Sequence, residues 1–461
     1  MNDLPEYLSA GERARLIPVG SDSNKEKRIT SVFLSSIMAV EEYGRELLGA
    51  IGARIGAKSK ILAFTEVEFK KSLPGAVVRP DGLLVVTVGK RQWRALIEAK
   101  IGKEILETDQ IVKYLQLAKM NNIDSLITIS NQFAALPTHH PVKVTKSQLK
   151  GIGFYHWSWM FALTRAILLL QDGQIKSADQ KYILGEVVRH LQHDSTGVSS
   201  FDRMNSEWKD LVLKVKSGAR LSKGSTEVEN TMAGWYQEER DLSLIMSRKL
   251  GRLVTLRMPR AHAKDPWVRL KSGCEDLAKN LQLNCGLEVP DAAAPIHICA
   301  DISRRTISCS MHLAAPQDKV TPKARINWII RQLAQTEPTD VFVKAIWPGR
   351  APDTQASLSD VRDDVSVLFA GNTSMTPQHF EVVMIRDLAG KFSGPRIFIE
   401  QMEKFVPEYY ENVGQHLRAW VAPPPKLVSQ KDPLEEKPPV EGKGGLLRWG
   451  KSKPRDADLD L

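Results

Sequence analysis

Between Ile61 and Ile101 the chain passes through three apolar runs: "ILAFTEVEF" (Ile61 to Phe69), "GLLVVTV" (Gly82 to Val88) and "WRALIEAKI" (Trp93 to Ile101). β-branched and aromatic residues fill them, and the intervening "KSLPGA" and "GKRQ" carry turn chemistry, so the runs predict three strands with connections short enough for a meander. Charged residues stand where these strands end. Asp81 follows a proline at the head of the second run, and Glu98 and Lys100 close the third.

The elements around the strands set the fold class. Phe33, Ile37, Val40, Leu47, Leu48 and Ile51 recur at helical spacing and predict one amphipathic helix over about 29–55. After the strands, "ETDQIVKYLQLAKMNN" reads as a helix capped at Thr108, with Ile111, Tyr114, Leu115 and Ala118 on one face. "DSLITISN" reads as a buried strand, and "GFYHWSWM" and "FALTRAILLLQDG" as a further strand and helix. The order of helix, three strands, helix, strand predicts an α/β domain over 25–175, preceded by an extension over 1–24.

Two helical segments and the polar stretch "SGARLSKGST" form a connector over 176–226. Helix and strand patterns then predict a second α+β domain over 227–421. The last segment, 422–461, mixes proline, glycine and charge with few apolar groups and reads as a disordered tail. Its island "GLLRWGK" is a candidate docking peptide for a protein partner.

The net charge of +10 favours an anionic partner such as nucleic acid. Four cysteines without a CxxC pair argue against a zinc site or disulfide framework and fit a reducing cytoplasm. Neither a secretory leader nor an apolar run of about 20 residues is seen, so a soluble cytoplasmic protein without a membrane partner is expected.

In a strand, residues i and i+2 project from one face, so Glu98 and Lys100 point together while Ala99 points away. If the strands of Asp81 and Glu98 are neighbours, their carboxylates converge beside the lysine. Two such groups repel unless a cation lies between them. Magnesium takes oxygen ligands of this kind and accepts phosphate oxygens in its remaining positions.

"RPDG" followed by "IEAK" resembles the signature of the PD-(D/E)XK nuclease superfamily, and Gln110 with Tyr114 reproduces the Gln-x-x-x-Tyr pattern of several of its branches. The resemblance covers about residues 25–175. It implies a restriction-endonuclease-like core, with Asp81 and Glu98 as metal ligands and the backbone carbonyl of Ala99 as a third. Lys100 would be the catalytic lysine and Gln110 a further site residue. It also implies an acid on the first helix, for which Glu41 is the candidate and Glu42 the fallback. Magnesium, with manganese as a substitute, is the expected ion.

Bland readings stand beside these. "RPDG" also suits a β-turn, and Glu66 and Glu68 suit a solvated strand face. His139, His140, His190 and His193 lack a third ligand nearby in sequence, and His156 reads as packed in a strand. Arg252, Arg257, Arg260 and Arg269 around Trp267 suit phosphate contact and equally a solvated charge run. The expected activity is metal-dependent phosphodiester hydrolysis, of DNA rather than RNA, in restriction, defence or repair. A homodimer is admitted. The alternative is a catalytically inert nucleic-acid-binding or regulatory protein on a degenerate nuclease fold.

Overall fold

The computed structural model describes residues 4–17, 25–53, 55–56, 58–75, 78–422 and 424. Apart from Ala422 and Pro424, the expected tail lies outside the described residues. Residues Met1–Val421 form one compact unit. It is a mixed α/β unit built on two sheets.

The chain begins with a strand, β1 (Leu8–Arg13), then helices α1 (Lys25–Ala39) and α2 (Glu41–Gly49). Next come β2 (Lys60–Phe69), β3 (Gly82–Val88), β4 (Arg91–Ala99), α3 (Thr108–Met120), β5 (Ser125–Ser130), the short α4 (Lys146–Leu149), β6 (Gly153–Ser158), α5 (Trp159–Gln171) and α6 (Ala178–Gln192). These strands form one sheet in the order β1-β2-β3-β4-β5-β6. Pairing is antiparallel from β1 to β4 and parallel from β4 to β6. The expected N-terminal extension thus contributes an edge strand. Its six residues carry only Leu8 as a large apolar group, too weak a pattern to read as a strand.

Alternation along the strands divides the core. Leu84, Val86, Ala95, Ile97 and Ile127 face α1, α2, α5 and α6. Leu83, Val85, Leu96 and Leu126 face α3. A strand buried on both faces reads as a continuous apolar run, as β3 and β4 do.

The single helix expected over 29–55 is two helices. Val40 takes an extended conformation (φ −113°, ψ 99°), and the chain turns there. Gly44 allows the two helices to pack closely, because a Cβ on it would fall 2.4 Å from the Ile37 carbonyl oxygen. The apolar spacing on either side of Val40 keeps helical period, so the break left no trace in periodicity.

The remaining elements are α7 (Trp208–Lys216), α8 (Thr226–Leu250), β7 (Thr255–Leu256), α9 (Arg260–Lys264), α10 (Pro266–Asn280), β8 (Gln282–Glu288), β9 (Ile296–Asp301), β10 (Thr306–Ala314), α11 (Pro322–Gln332), β11 (Val341–Ile346), β12 (Thr354–Ser357), α12 (Leu358–Asp363), β13 (His379–Asp387) and α13 (Pro395–Asn412). Their strands make an antiparallel sheet in the order β12-β11-β13-β10-β9-β8-β7. The long helix α8 serves both cores: Leu244 packs toward the first sheet, while Leu242 and Met246 pack toward the second. The expected connector is likewise shared, with α6 in the first core and α7 in the second.

Candidate active site

Asp81 and Glu98 come from neighbouring strands. Asp81 immediately precedes β3, which pairs with β4 from Gly82↔Ile97 to Val88↔Arg91. The "RPDG" stretch bends at Asp81 and is held by β2: the Glu66 N–H donates to the Asp81 carbonyl at 3.0 Å and the Val67 N–H to the Pro80 carbonyl at 3.3 Å. Glu66 itself adopts a positive φ of 54°, which kinks β2 at this point. The glycine of the motif serves close packing: a Cβ on Gly82 would lie 2.5 Å from Leu34 Cδ1 on α1.

By strand parity Asp81, Glu98 and the apolar Leu83 and Leu96 share the face covered by α3. The Asp81 carboxylate accepts a hydrogen bond from the Ala99 N–H at 2.8 Å. Lys100 Nζ lies 2.9 Å from Glu98 Oε1 and 3.3 Å from Glu26 Oε1. Glu98 is wholly buried, whereas Asp81, Lys100 and Gln110 are half-buried and form the exposed edge of the site. From α3, Gln110 Nε2 donates to the Tyr114 hydroxyl at 3.0 Å, and that hydroxyl donates to the Arg79 carbonyl at 3.3 Å. Tyr114 borders Glu98, so α3 closes the site from its own face.

The electrostatics follow from burial and proximity. Burial, then the neighbouring Glu98 carboxylate, pushes the Asp81 carboxyl well above its ordinary range, against the pull of the Ala99 N–H and Lys100. Burial also raises Glu98, with Lys100 opposing. Burial pulls the Lys100 ammonium down, but Glu98, Glu26 and Asp81 outweigh it and hold the amine above its usual value. The lysine therefore keeps its proton at neutral pH.

Metal ligation rests on a small donor set. Among the described residues no group of three or more His, Cys, Asp or Glu side chains is placed to hold an ion. Magnesium needs less, because one or two carboxylates with substrate phosphates and waters suffice. Both Glu98 oxygens are buried and accept no directed hydrogen bond, leaving the off-axis Lys100 ion pair as their compensation. Glu98 Oε2, buried and without a partner beside Asp81, fits a hard cation, with the Ala99 carbonyl as the remaining expected ligand.

The expected helix acid is elsewhere. Glu41 opens α2, pairs with Arg45 at 3.3 Å and is largely exposed, and Glu42 also lies against Arg45. Glu41 lies beside Lys60 and Ile61 at the start of β2, whereas Asp81 sits beside Glu66 toward its other end. Glu26, in the first turn of α1, reaches Lys100 instead. Sequence reading missed it because the helix was begun at Ile29, four residues too late. Glu66 and Glu68 pair with Arg79 at 3.6 and 3.5 Å on the outer edge of the site.

His139, His140 and His156 are held in structural contacts. The Thr128 hydroxyl bonds His140 Nε2 at 2.8 Å and His156 Nδ1 at 2.7 Å, and burial lowers His156 to about 4 and depresses His140 as well. His139 Nε2 meets the Ala263 carbonyl at 2.9 Å.

The arginines from the second half do not form one surface. Arg252 pairs with Asp291 at 2.5 Å and Arg257 with Glu288 at 3.4 Å, both exposed, while Arg260 lies in the first turn of α9. Arg269 is buried and ion-paired with Glu239, so its guanidinium is withdrawn from any surface phosphate contact. It falls on the inner face of α10, which the charge pattern alone did not reveal.

No helix among the described residues is long and apolar enough to cross a membrane. Comparison with protein-family models, with curated proteins and with solved structures found no match for this chain.

Proposed function

We propose that the chain is a metal-dependent nuclease of the PD-(D/E)XK type that hydrolyses phosphodiester bonds, of DNA in preference to RNA. The observation that carries this reading is the meeting of Asp81, Glu98 and Lys100 at the paired ends of β3 and β4, with two buried Glu98 oxygens that accept no directed hydrogen bond. The order α1, α2, β2, β3, β4, α3, β5, with two helices where one was expected, supports a restriction-endonuclease-like core.

Asp81, Glu98 and the Ala99 carbonyl would hold magnesium, or manganese in its place, and the ion when bound polarises the phosphoryl group and lowers the pKa of water. The chain's own groups do the rest. Lys100, kept protonated by its three carboxylate neighbours, acts as a fixed cation for developing phosphate charge or as a donor orienting the attacking water. Glu26 positions that ammonium. Gln110, half-buried and bonded to Tyr114, presents its amide at the exposed edge, where substrate approaches.

A catalytically inert nucleic-acid-binding or regulatory protein is the second reading. It is favoured by the full burial of Glu98, whose charge Lys100 already compensates without an ion. Incubation of purified protein with circular and linear DNA, with and without magnesium or manganese, separates the two. Metal-dependent cutting that disappears in Asp81→Asn supports the nuclease. Binding without cutting under every metal condition supports the inert protein.

A further inference from the structure

A cavity of about 600 Å³ opens in the second half of the chain, bounded by α8, α10, β8 and the segment running from β7 into α9. Its volume is that of a site for an organic ligand of moderate size. One wall carries Glu239, which is 1% exposed. One Glu239 oxygen takes the guanidinium of Arg269, while Oε1 is buried and accepts no hydrogen bond.

The pair is fixed in place. The Arg269 guanidinium lies 3.8 Å from the centre of the Tyr236 ring, and the Tyr236 hydroxyl donates to the Arg269 carbonyl at 2.9 Å. Close packing shapes the wall beside it, since a Cβ on Gly273 would fall 2.2 Å from the Tyr236 hydroxyl oxygen. Arg257 and His262 also line the cavity and supply donors, with Asp276 of α10 a further acid in the lining. Arg257 is largely exposed and loosely paired to Glu288, leaving its guanidinium accessible.

The two ends of this cavity ask for different chemistry. The inner end holds a preorganised buried acceptor, and leaving such a group unpaired is unfavourable. It calls for an N–H donor. The outer end calls for an anion. A simple anion would leave Glu239 Oε1 unanswered and most of the volume unfilled, and an apolar ligand would answer neither end. We propose that the cavity binds a mononucleotide, with the exocyclic amine of its base donating to Glu239 and its phosphate held by Arg257 and His262.

The site also abuts the first sheet. His139 meets the Ala263 carbonyl on α9, Lys143 Nζ stands 4.8 Å from the Trp267 ring centre, and the Phe133 N–H donates to Gln237 of α8 at 3.3 Å. A ligand that closes on α8 and α9 therefore rests against loops of the candidate nuclease half.

The test is direct binding by calorimetry at about pH 8, where Glu239, raised by burial to about 7 despite Arg269, is ionised. The probes are AMP, GMP, CMP and UMP, with the matching nucleosides and inorganic phosphate. At least one of the amine-bearing nucleotides is expected to bind about tenfold or more tighter than its nucleoside, than inorganic phosphate and than UMP, which lacks an exocyclic amine. Arg257→Ala is expected to remove the advantage over the nucleoside, and Glu239→Gln the advantage over UMP. Should Glu239→Gln fail to fold, the comparison with UMP on the wild-type chain reads the same contact. The proposal is overturned if none of the four binds, if phosphate binds as tightly as the nucleotides, if UMP matches the others, or if Arg257→Ala changes nothing. Because cleavage is not measured, the result is independent of the nuclease reading.

Discussion

The Asp81 carboxylate and the backbone N–H of Ala99 are joined by a 2.8 Å hydrogen bond, and Ala99 is the residue between Glu98 and Lys100. This one bond fixes the approach of the two acids without relying on a charge between them. A main-chain donor cannot rotate away as a side chain can. The two acids are therefore held close in the fold; burial raises the proton affinity of both carboxyls, and for Asp81 the neighbouring Glu98 carboxylate adds to it.

Divalent metal should thus stabilise the protein more as pH rises. The folded Asp81 carboxyl is raised above its ordinary value of 3.8, so above that pH the folded chain retains a proton that the unfolded chain releases. Stability contributed by this group is full below the unfolded value and declines as pH climbs through the folded one. A bound cation displaces the proton and cancels the penalty. Melting temperature with and without magnesium, from about pH 5 to about pH 8, should show a growing metal-induced increment that Asp81→Asn abolishes, together with a loss of cleavage of about 10³-fold. An increment independent of pH would detach the metal from Asp81.

Lys100→Met should separate chemistry from metal binding. Removing the ammonium leaves Glu98 buried and uncompensated, at a cost of about 3 kcal/mol in metal-free protein. Magnesium should restore most of that loss, since it replaces the missing positive charge, while cleavage stays absent. Denaturant unfolding with and without metal checks the first part. Cleavage that survives in Lys100→Met would remove the lysine from the mechanism.

Much of this arrangement was legible in sequence because it rests on local rules. Strand parity places Glu98 and Lys100 by spacing alone, and the continuous apolar runs of β3 and β4 announce burial on both faces. What escaped depended on geometry that periodicity does not carry. The extended conformation at Val40 preserves the spacing of apolar residues while dividing the helix, and Glu26, which meets Lys100, lies before the first apolar residue of the periodic pattern. Arg269 reads as one more cation in a basic run, yet its position on the inner face of α10 makes it the partner of Glu239. Strand β1 was hidden by brevity and mixed polarity.

Glu26→Gln and Glu41→Gln should diverge. Glu26 is one of three carboxylates that hold Lys100 above its usual value, so its neutral amide lowers the lysine and moves the alkaline limb of the pH–rate profile downward. Cleavage at neutral pH should fall about 10-fold, a positioning effect far smaller than loss of a ligand. Glu41→Gln should leave the rate and profile alone. An unchanged alkaline limb in Glu26→Gln would sever the link between Glu26 and the lysine.

Two arginines of the same basic run should behave oppositely. Arg269→Ala leaves Glu239 buried without its partner and should cost about 3 kcal/mol of stability. Arg260→Ala should leave the melting temperature in place and, if Arg260 contacts a duplex phosphate, reduce the salt dependence of DNA binding by about 0.9 in log-log slope. Thermal melts and binding titrations at several salt concentrations read the two effects separately. A salt slope unchanged in Arg260→Ala returns that residue to the solvated surface.

Gly82→Ala tests whether the approach of α1 to the sheet end matters. The added Cβ would lie 2.5 Å from Leu34 Cδ1 and 3.1 Å from the Phe64 carbonyl oxygen. Leu34 is fully buried on α1 and has little room to yield, and the Phe64 carbonyl belongs to the β2 backbone. Overpacking of this kind costs about 1–3 kcal/mol. The strain should be relieved by moving α1 outward, and α1 carries Glu26, so the Glu26–Lys100 pair lengthens along with it. The variant should therefore melt lower and show the same downward displacement of the alkaline limb as Glu26→Gln. Leu34→Ala opens space on the α1 side, so Gly82→Ala should cost less in that background than in the wild-type chain, a coupling of the sign expected for neighbours that share one clash. Equal costs in the two backgrounds would show that α1 does not set the geometry at Asp81.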